Sequence, residues 1–421
     1  TMKTWIMWSS MLLTMMWSAC SSGQGEKTQG MIDVSSAFEN LTELKVSQLG
    51  KTVRYVPLET TDESLIGATA ALHLLKDKIL VVTEGKCMSF DKTTGKYLGN
   101  IGHTGDDPEG YTYATCYINP KDETLHFFRM QGRKYIQYNK EGEYMGEIPK
   151  PTSLTNSIYP LFLDSTVIAH PLGILETRPI GRLYQFDYQG ILQDSIHITI
   201  HDTFDKASET MVAAMIYDGL TPGTERPYGL LFKNGGIMVE HENRYIGIYP
   251  ISYPSLWLCK DEIHFHEALN DTIFQIDGNR IAPYLTFHTG NHHFPLEKKG
   301  EKEASEGTLV ITDVMETSQW ILFHCTKDIY GEPESYQGIY DKKNGEVRLT
   351  KENDGFIDDI HHFLPIHPEA YGAKGEWGTL FSIEQIQTFQ EEHPDFKMEG
   401  ALAPLKDLDF DDNPVVVIVE P

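Results

Sequence analysis

Apolar and polar residues alternate along this chain in runs of strand length, and turns bearing Gly, Asn or Asp cut the runs at regular intervals. The clearest stretch is Phe90 to Tyr111, in which Phe90-Asp91 ends one strand, Gly95 reverses the chain, and Tyr97, Leu98 and Ile101 carry the return strand. Equivalent turns stand at Tyr138 to Gly142, Phe186 to Gly190, Phe274 to Gly278 and Tyr340 to Gly345. Gly95, Gly142 and Gly190 are 47 and 48 residues apart, and Gly278 follows after 88, two periods of 44. Short-stranded repeats of roughly 40 to 50 residues are propeller blades. The pattern therefore predicts an all-β fold, a six-bladed β-propeller of four-stranded antiparallel blades, with a short C-terminal helix.

The second blade is the cleanest copy, with strands over Thr115 to Asn119, Leu125 to Arg129, Lys134 to Tyr138 and Tyr144 to Ile148. The degenerate copy, a fourth blade, is expected over Leu230 to Phe232, Ile237 to Glu240 and Tyr245 to Tyr249. Before it, Met211 and Met215 fall at helical spacing, which predicts a short helix within Ala207 to Leu220. Ser382 to Gln390 reads as the C-terminal helix, Ser382 capping a stripe of Ile383, Ile386 and Phe389. Lys51 to Leu58 alternates as a strand near a sheet edge, and Val415 to Val419 is a continuous apolar run. Pairing of terminal strands would close the ring and bury that run.

Ahead of the repeats, Met2 to Cys20 has one Lys, an apolar run from Trp5 to Trp17 and small residues before a Cys, the anatomy of an export signal. Ser18-Ala19-Cys20 resembles the lipobox of bacterial lipoproteins, which implies cleavage before Cys20 and acylation of it, a lipid anchor to the membrane. The organisation expected is a signal peptide over 1–20, a polar tether over 21–50 and the propeller over 51–421.

Charge narrows the partners. Against 35 Lys and Arg stand 61 Asp and Glu, a net charge of −26, so phosphate backbones would be repelled and nucleic acid is not expected as a partner. The remaining cysteines, Cys87, Cys116, Cys259 and Cys325, lack metal-type spacing and read as buried apolar residues; Cys87 and Cys116, on successive blades, are the pair that could bridge.

Tyr55 to Thr60, Asn270 to Phe274 and Asp412 to Val415, with the loop from Gly105 to Tyr111, resemble the six-bladed β-propeller lipoproteins of Bacteroidetes, and more distantly NHL-repeat and TolB-like propellers. The resemblance spans nearly the whole chain after Cys20. It implies a lipid-anchored protein of the cell envelope, at the periplasmic or the outward-facing leaflet of the outer membrane. It also makes a role beside glycan or nutrient uptake plausible, with a glycan or an envelope protein as partner.

No nucleophile elbow, phosphate loop, zinc-protease helix or dinucleotide fingerprint is present in the sequence, and neither a cofactor nor a metal is expected. His264 and His266 share one face of a strand beside Glu267, but a metal would need a third ligand from another blade. On the face carrying the connections between blades, the candidate ligand-binding residues are His103, Arg129, Arg133, His170, Arg178, His241, Arg244 and His266, with Tyr111 or Tyr135 as stacking surface. These point to a non-catalytic binding or scaffold module. The competing class is a polysaccharide lyase or hydrolase working through a metal or a His/Asp site in the central funnel.

Overall fold

A computed structural model describes residues 30–152, 154, 157–171, 182–198, 211–217, 236–241, 246–250, 255–298 and 302–421. Six antiparallel sheets of four strands form a ring. Blade 1 runs from Ala70 to Asn100, blade 2 from Cys116 to Pro149, blade 3 from Ser157 to His197, blade 4 from Leu256 to His288 and blade 5 from Leu309 to Lys351. Blade 6 is assembled from both ends of the chain: Ala370–Tyr371, Trp377–Phe381, Val415–Glu420 and, on its outer side, Thr52–Pro57. The closing register pairs Thr52 with Glu420 and Pro57 with Val415.

Neighbouring blades are joined by apolar cores, and these fix the order of the ring. Leu80, Cys87, Cys116 and Phe127 join blades 1 and 2, and Tyr135, Ile148, Phe162 and Phe186 join blades 2 and 3. Leu183 and Ile196 of blade 3 meet Leu256 and Phe265 of blade 4. Ile273 and Phe287 meet Ile311 and Phe323, Met315 and Leu322 meet Trp377 and Val417, and Val416 and Ile418 meet Ile79 and Phe90. The run Val415–Val419 is continuous because alternate residues face blade 5 and blade 1, so neither side of the strand meets water.

Blades 3 and 4 touch directly, which corrects the membership of the repeat. The expected degenerate blade is a separate three-stranded sheet, Met211–Tyr217, Gly236–His241 and Ile246–Pro250, inserted in the chain between those two blades. Met211–Tyr217, expected as a helix, is a strand paired with Gly236–His241. A spacing of four residues suits one face of a strand as well as one face of a helix.

Residues 30–50, expected as part of a tether, are built into the ring. Gly30–Asp33 pairs in parallel with the outer strand of blade 4, Arg280–His288. Helices α1 (Val34–Glu39) and α2 (Val46–Leu49) bury Val34, Ala37, Val46 and Leu49 in the flanking cores, and the strand residues Ile32 and Leu44 join them. Helix α3 (Ile383–Glu392) lies where the sequence puts it, with a reciprocal cap between Ser382 and Gln385 and with Ile383 and Ile386 buried.

The chain ends are stitched by the segments that carried the family resemblance. Asn413 donates to the carbonyls of Glu59 and Ser64 at 2.9 and 2.8 Å and accepts from the Ile66 amide at 2.9 Å. The turn glycines serve a second contact. Gly95 has φ +71°, and a Cβ there would lie 1.9 Å from the carbonyl oxygen of Pro57; Gly190, with φ +76°, stands likewise 2.6 Å from that of Pro149. Each turn sits against the outer strand of the preceding blade.

Candidate binding face

In a four-stranded meander the first and third turns fall on one side of the ring, and the second turn and the connection to the next blade fall on the other. The first side has only tight turns, two to six residues long, such as 75–77, 163–165 and 278–279. Among the described residues, the second side carries 101–115, 289–298, 302–308, 352–369 and 382–414. Length beyond what joins two strands is thus confined to one face, where it costs the ring nothing in packing.

The short-turn face is held by charge pairs between blades, two of them on buried carboxylates. Lys92, in the outer turn of blade 1, binds Glu376 of blade 6 and donates to the Leu75 carbonyl at 2.6 Å; both charged side chains are buried. Lys140, at the same position in blade 2, reaches Asp77 of blade 1 at 2.7 Å. Lys342, its counterpart in blade 5, binds Glu316. Glu316 is enclosed, and it also accepts from Trp257 Nε1 at 2.6 Å and meets His264 Nδ1 at 2.5 Å, both from blade 4. Burial raises the Glu316 pKa, but the bonds from His264 and Lys342 outweigh it and hold the carboxyl below its ordinary value. His264 stacks on Tyr284 at 4.3 Å, so it belongs to this network. A lysine following Asp or Asn in three outer turns was the sequence signal for these bridges, which reasoning from motifs passed over.

The candidates from sequence divide into two groups. Between blades 1 and 2, His103 Nε2 lies 2.6 Å from Asp107 Oδ2, both about half exposed. That bond, with the Glu109 amide, lowers the Asp107 pKa. Arg129 ends the second strand of blade 2 and lies beneath the connection 101–115. Its Nη2 donates to the Asp106 carbonyl at 2.6 Å and to Gln131 Oε1 at 3.3 Å, while Nε and Nη1 are buried without a partner. Arg133, in the next turn at φ +51°, donates to the Leu154 carbonyl at 3.3 Å.

Between blades 3 and 4, His170 Nδ1 is 3.3 Å from Ser255 Oγ, and its ring stands edge-on to Phe265. His266 is fully buried, and its Nε2 meets the Asn270 carbonyl at 2.9 Å. Burial drives its pKa down to about 4, so the neutral ring closes the turn 266–271 as a structural bond. Tyr111 and Tyr135 are also buried, Tyr111 stacked on Phe127 at 4.4 Å, and neither offers a surface to a ligand. Arg178 and Arg244 lie outside the described residues, and His241 ends a strand whose side chains are not described. The four cysteines are buried free thiols.

A family model described as a domain of unknown function, DUF4934, matches residues 30–420. No curated protein matches the chain. Among solved structures, a Bacteroides fragilis protein described as exported superposes with a TM-score of 0.59 at 12% identity, over 90% of this chain and 97% of that one. A member of the DUF4221 family from Bacteroides vulgatus gives 0.46 at 11% identity, over 88% and 96%. At these identities the likeness to the first is one of fold.

Proposed function

The chain belongs to the DUF4934 family, and from that premise we propose that it is a non-catalytic binding propeller of the bacterial cell envelope, anchored by acylated Cys20 to the outer membrane. The observation that carries this reading is the confinement of the long connections, among the described residues, to one face, above a ring whose opposite face is locked by ion pairs to buried carboxylates. The partner is a glycan or an envelope protein that docks on the long-connection face. Export fits the description of the Bacteroides fragilis fold relative as a putative exported protein. No described helix is long and apolar enough to cross a membrane.

The anchor and the face are geometrically compatible. Gly30 runs parallel to the outer strand of blade 4 and so comes in from the short-turn side. Cys20 is ten residues earlier in the chain, which gives a reach of at most about 35 Å. A chain of that reach leaves the long-connection face accessible to a partner. Full-length protein in detergent, titrated calorimetrically with neutral and acidic oligosaccharides, tests the reading. Binding is expected to change in affinity or rate when 103–109 is replaced by a Gly/Ser loop and to stay unchanged in Lys140→Glu on the other face. The reverse pattern would refute it. Cys20→Ser is expected to move the protein from the membrane to the soluble fraction.

A further inference from the structure

We infer that Arg129 is the anion-recognising group of the long-connection face and that the partner presents a compact oxyanion, carboxylate, sulfate or phosphate, to it between blades 1 and 2. This rests on the binding reading above and adds the chemistry of the ligand. Arg129 is 7% exposed, and a guanidinium remains charged at any depth. Of its five N–H groups, two go to neutral oxygens of Asp106 and Gln131, and the one on Nε and both on Nη1 have no acceptor.

The acidic residues beside it do not supply a counter-ion. Asp107 is committed to His103 and to the amides of Glu109 and Gly110, and Asp106 offers only its carbonyl. On the short-turn face the same ring pairs lysines with buried carboxylates, Lys92 with Glu376 and Lys342 with Glu316. A neutral acceptor satisfies a donor without balancing the charge, whereas an oxyanion does both. The cover is slight. Residues 103–109 are exposed throughout, and the segment is pinned to Arg129 by the single bond to the Asp106 carbonyl.

The test is calorimetric titration of the full chain with trigalacturonate, inorganic sulfate and inorganic phosphate, with maltotriose as the neutral control. At least one anion is expected to bind; Arg129→Lys should weaken it at least about tenfold and Arg129→Gln should abolish it. Which anion binds separates an acidic glycan from a free inorganic ion. His103→Ala keeps Arg129 and loosens its cover, so it should raise the association rate, a change that a purely structural arginine would not produce. Absence of binding by all three anions, or binding that survives Arg129→Gln, would overturn the inference. Maltotriose binding indifferent to Arg129 would overturn it too, while leaving the binding propeller intact.

Discussion

Lys342 and Arg129 are both cations set into the ring, and they lie on opposite faces. Lys342 meets an enclosed carboxylate that is also held by Trp257 and His264. Arg129 meets two neutral oxygens and keeps two of its nitrogens unpaired. On the short-turn face these charges are compensated within the protein and tie blade to blade; at Arg129, on the long-connection face, the charge meets no carboxylate. Uncompensated charge lowers stability, and a fold tolerates that where function requires it.

The largest effect expected from testing this contrast is that of Lys342→Met, which leaves the Glu316 carboxylate enclosed with weaker compensation and should cost about 3–5 kcal/mol in urea unfolding. A loss below about 1 kcal/mol would mean that the short-turn face is not held by its ion pairs. Gly95→Ala comes next, at about 2–3 kcal/mol, because the residue is at φ +71° and its Cβ would collide with the Pro57 carbonyl. Thermal unfolding of that variant near wild type would show the turn contact to be dispensable.

Acid titration probes the histidines. His266 on the long-connection face and His126, stacked on Phe162 at 3.7 Å, both have pKa values lowered by burial to about 4. Their folded values lie below the unfolded one, so their contribution is fully present above pH about 6.5 and is lost as pH falls toward 4, with a slope of about 1.4 kcal/mol per pH unit for each. Denaturant midpoints that stay flat across that window would mean that His266 takes up a proton in the folded state. The residue would then return to the set of ligand-facing candidates.

Much of this architecture is legible in the sequence because strand alternation and turn glycines are local. Gly95, Gly142, Gly190, Gly278 and Gly345 mark the outer turns of blades 1 to 5, and Val415–Val419 marks closure. The gap of two periods before Gly278 was misleading, since an inserted sheet of about one blade's length fills it. Blade 6 escaped as a unit because its strands come from opposite ends of the chain. The short segments around Ile32, Val34 and Leu44 read as tether because their apolar residues are too few to show a period. Charge compensation is legible only in part: a lysine after Asp or Asn marks three outer turns, but Lys92 and Glu376 are 284 residues apart, and whether an arginine is paired is decided by packing. Residue type placed His266 among the ligand candidates; its burial removed it.

The most direct measurement is the thermal unfolding of Arg129→Met beside Lys342→Met, in the absence of any added anion. If Arg129 is a charge buried for a ligand, its apolar replacement should unfold at or above the wild-type temperature while Lys342→Met unfolds well below it. Equal destabilisation of the two would contradict the account, for Arg129 would then be as much a part of the ring's own structure as Lys342.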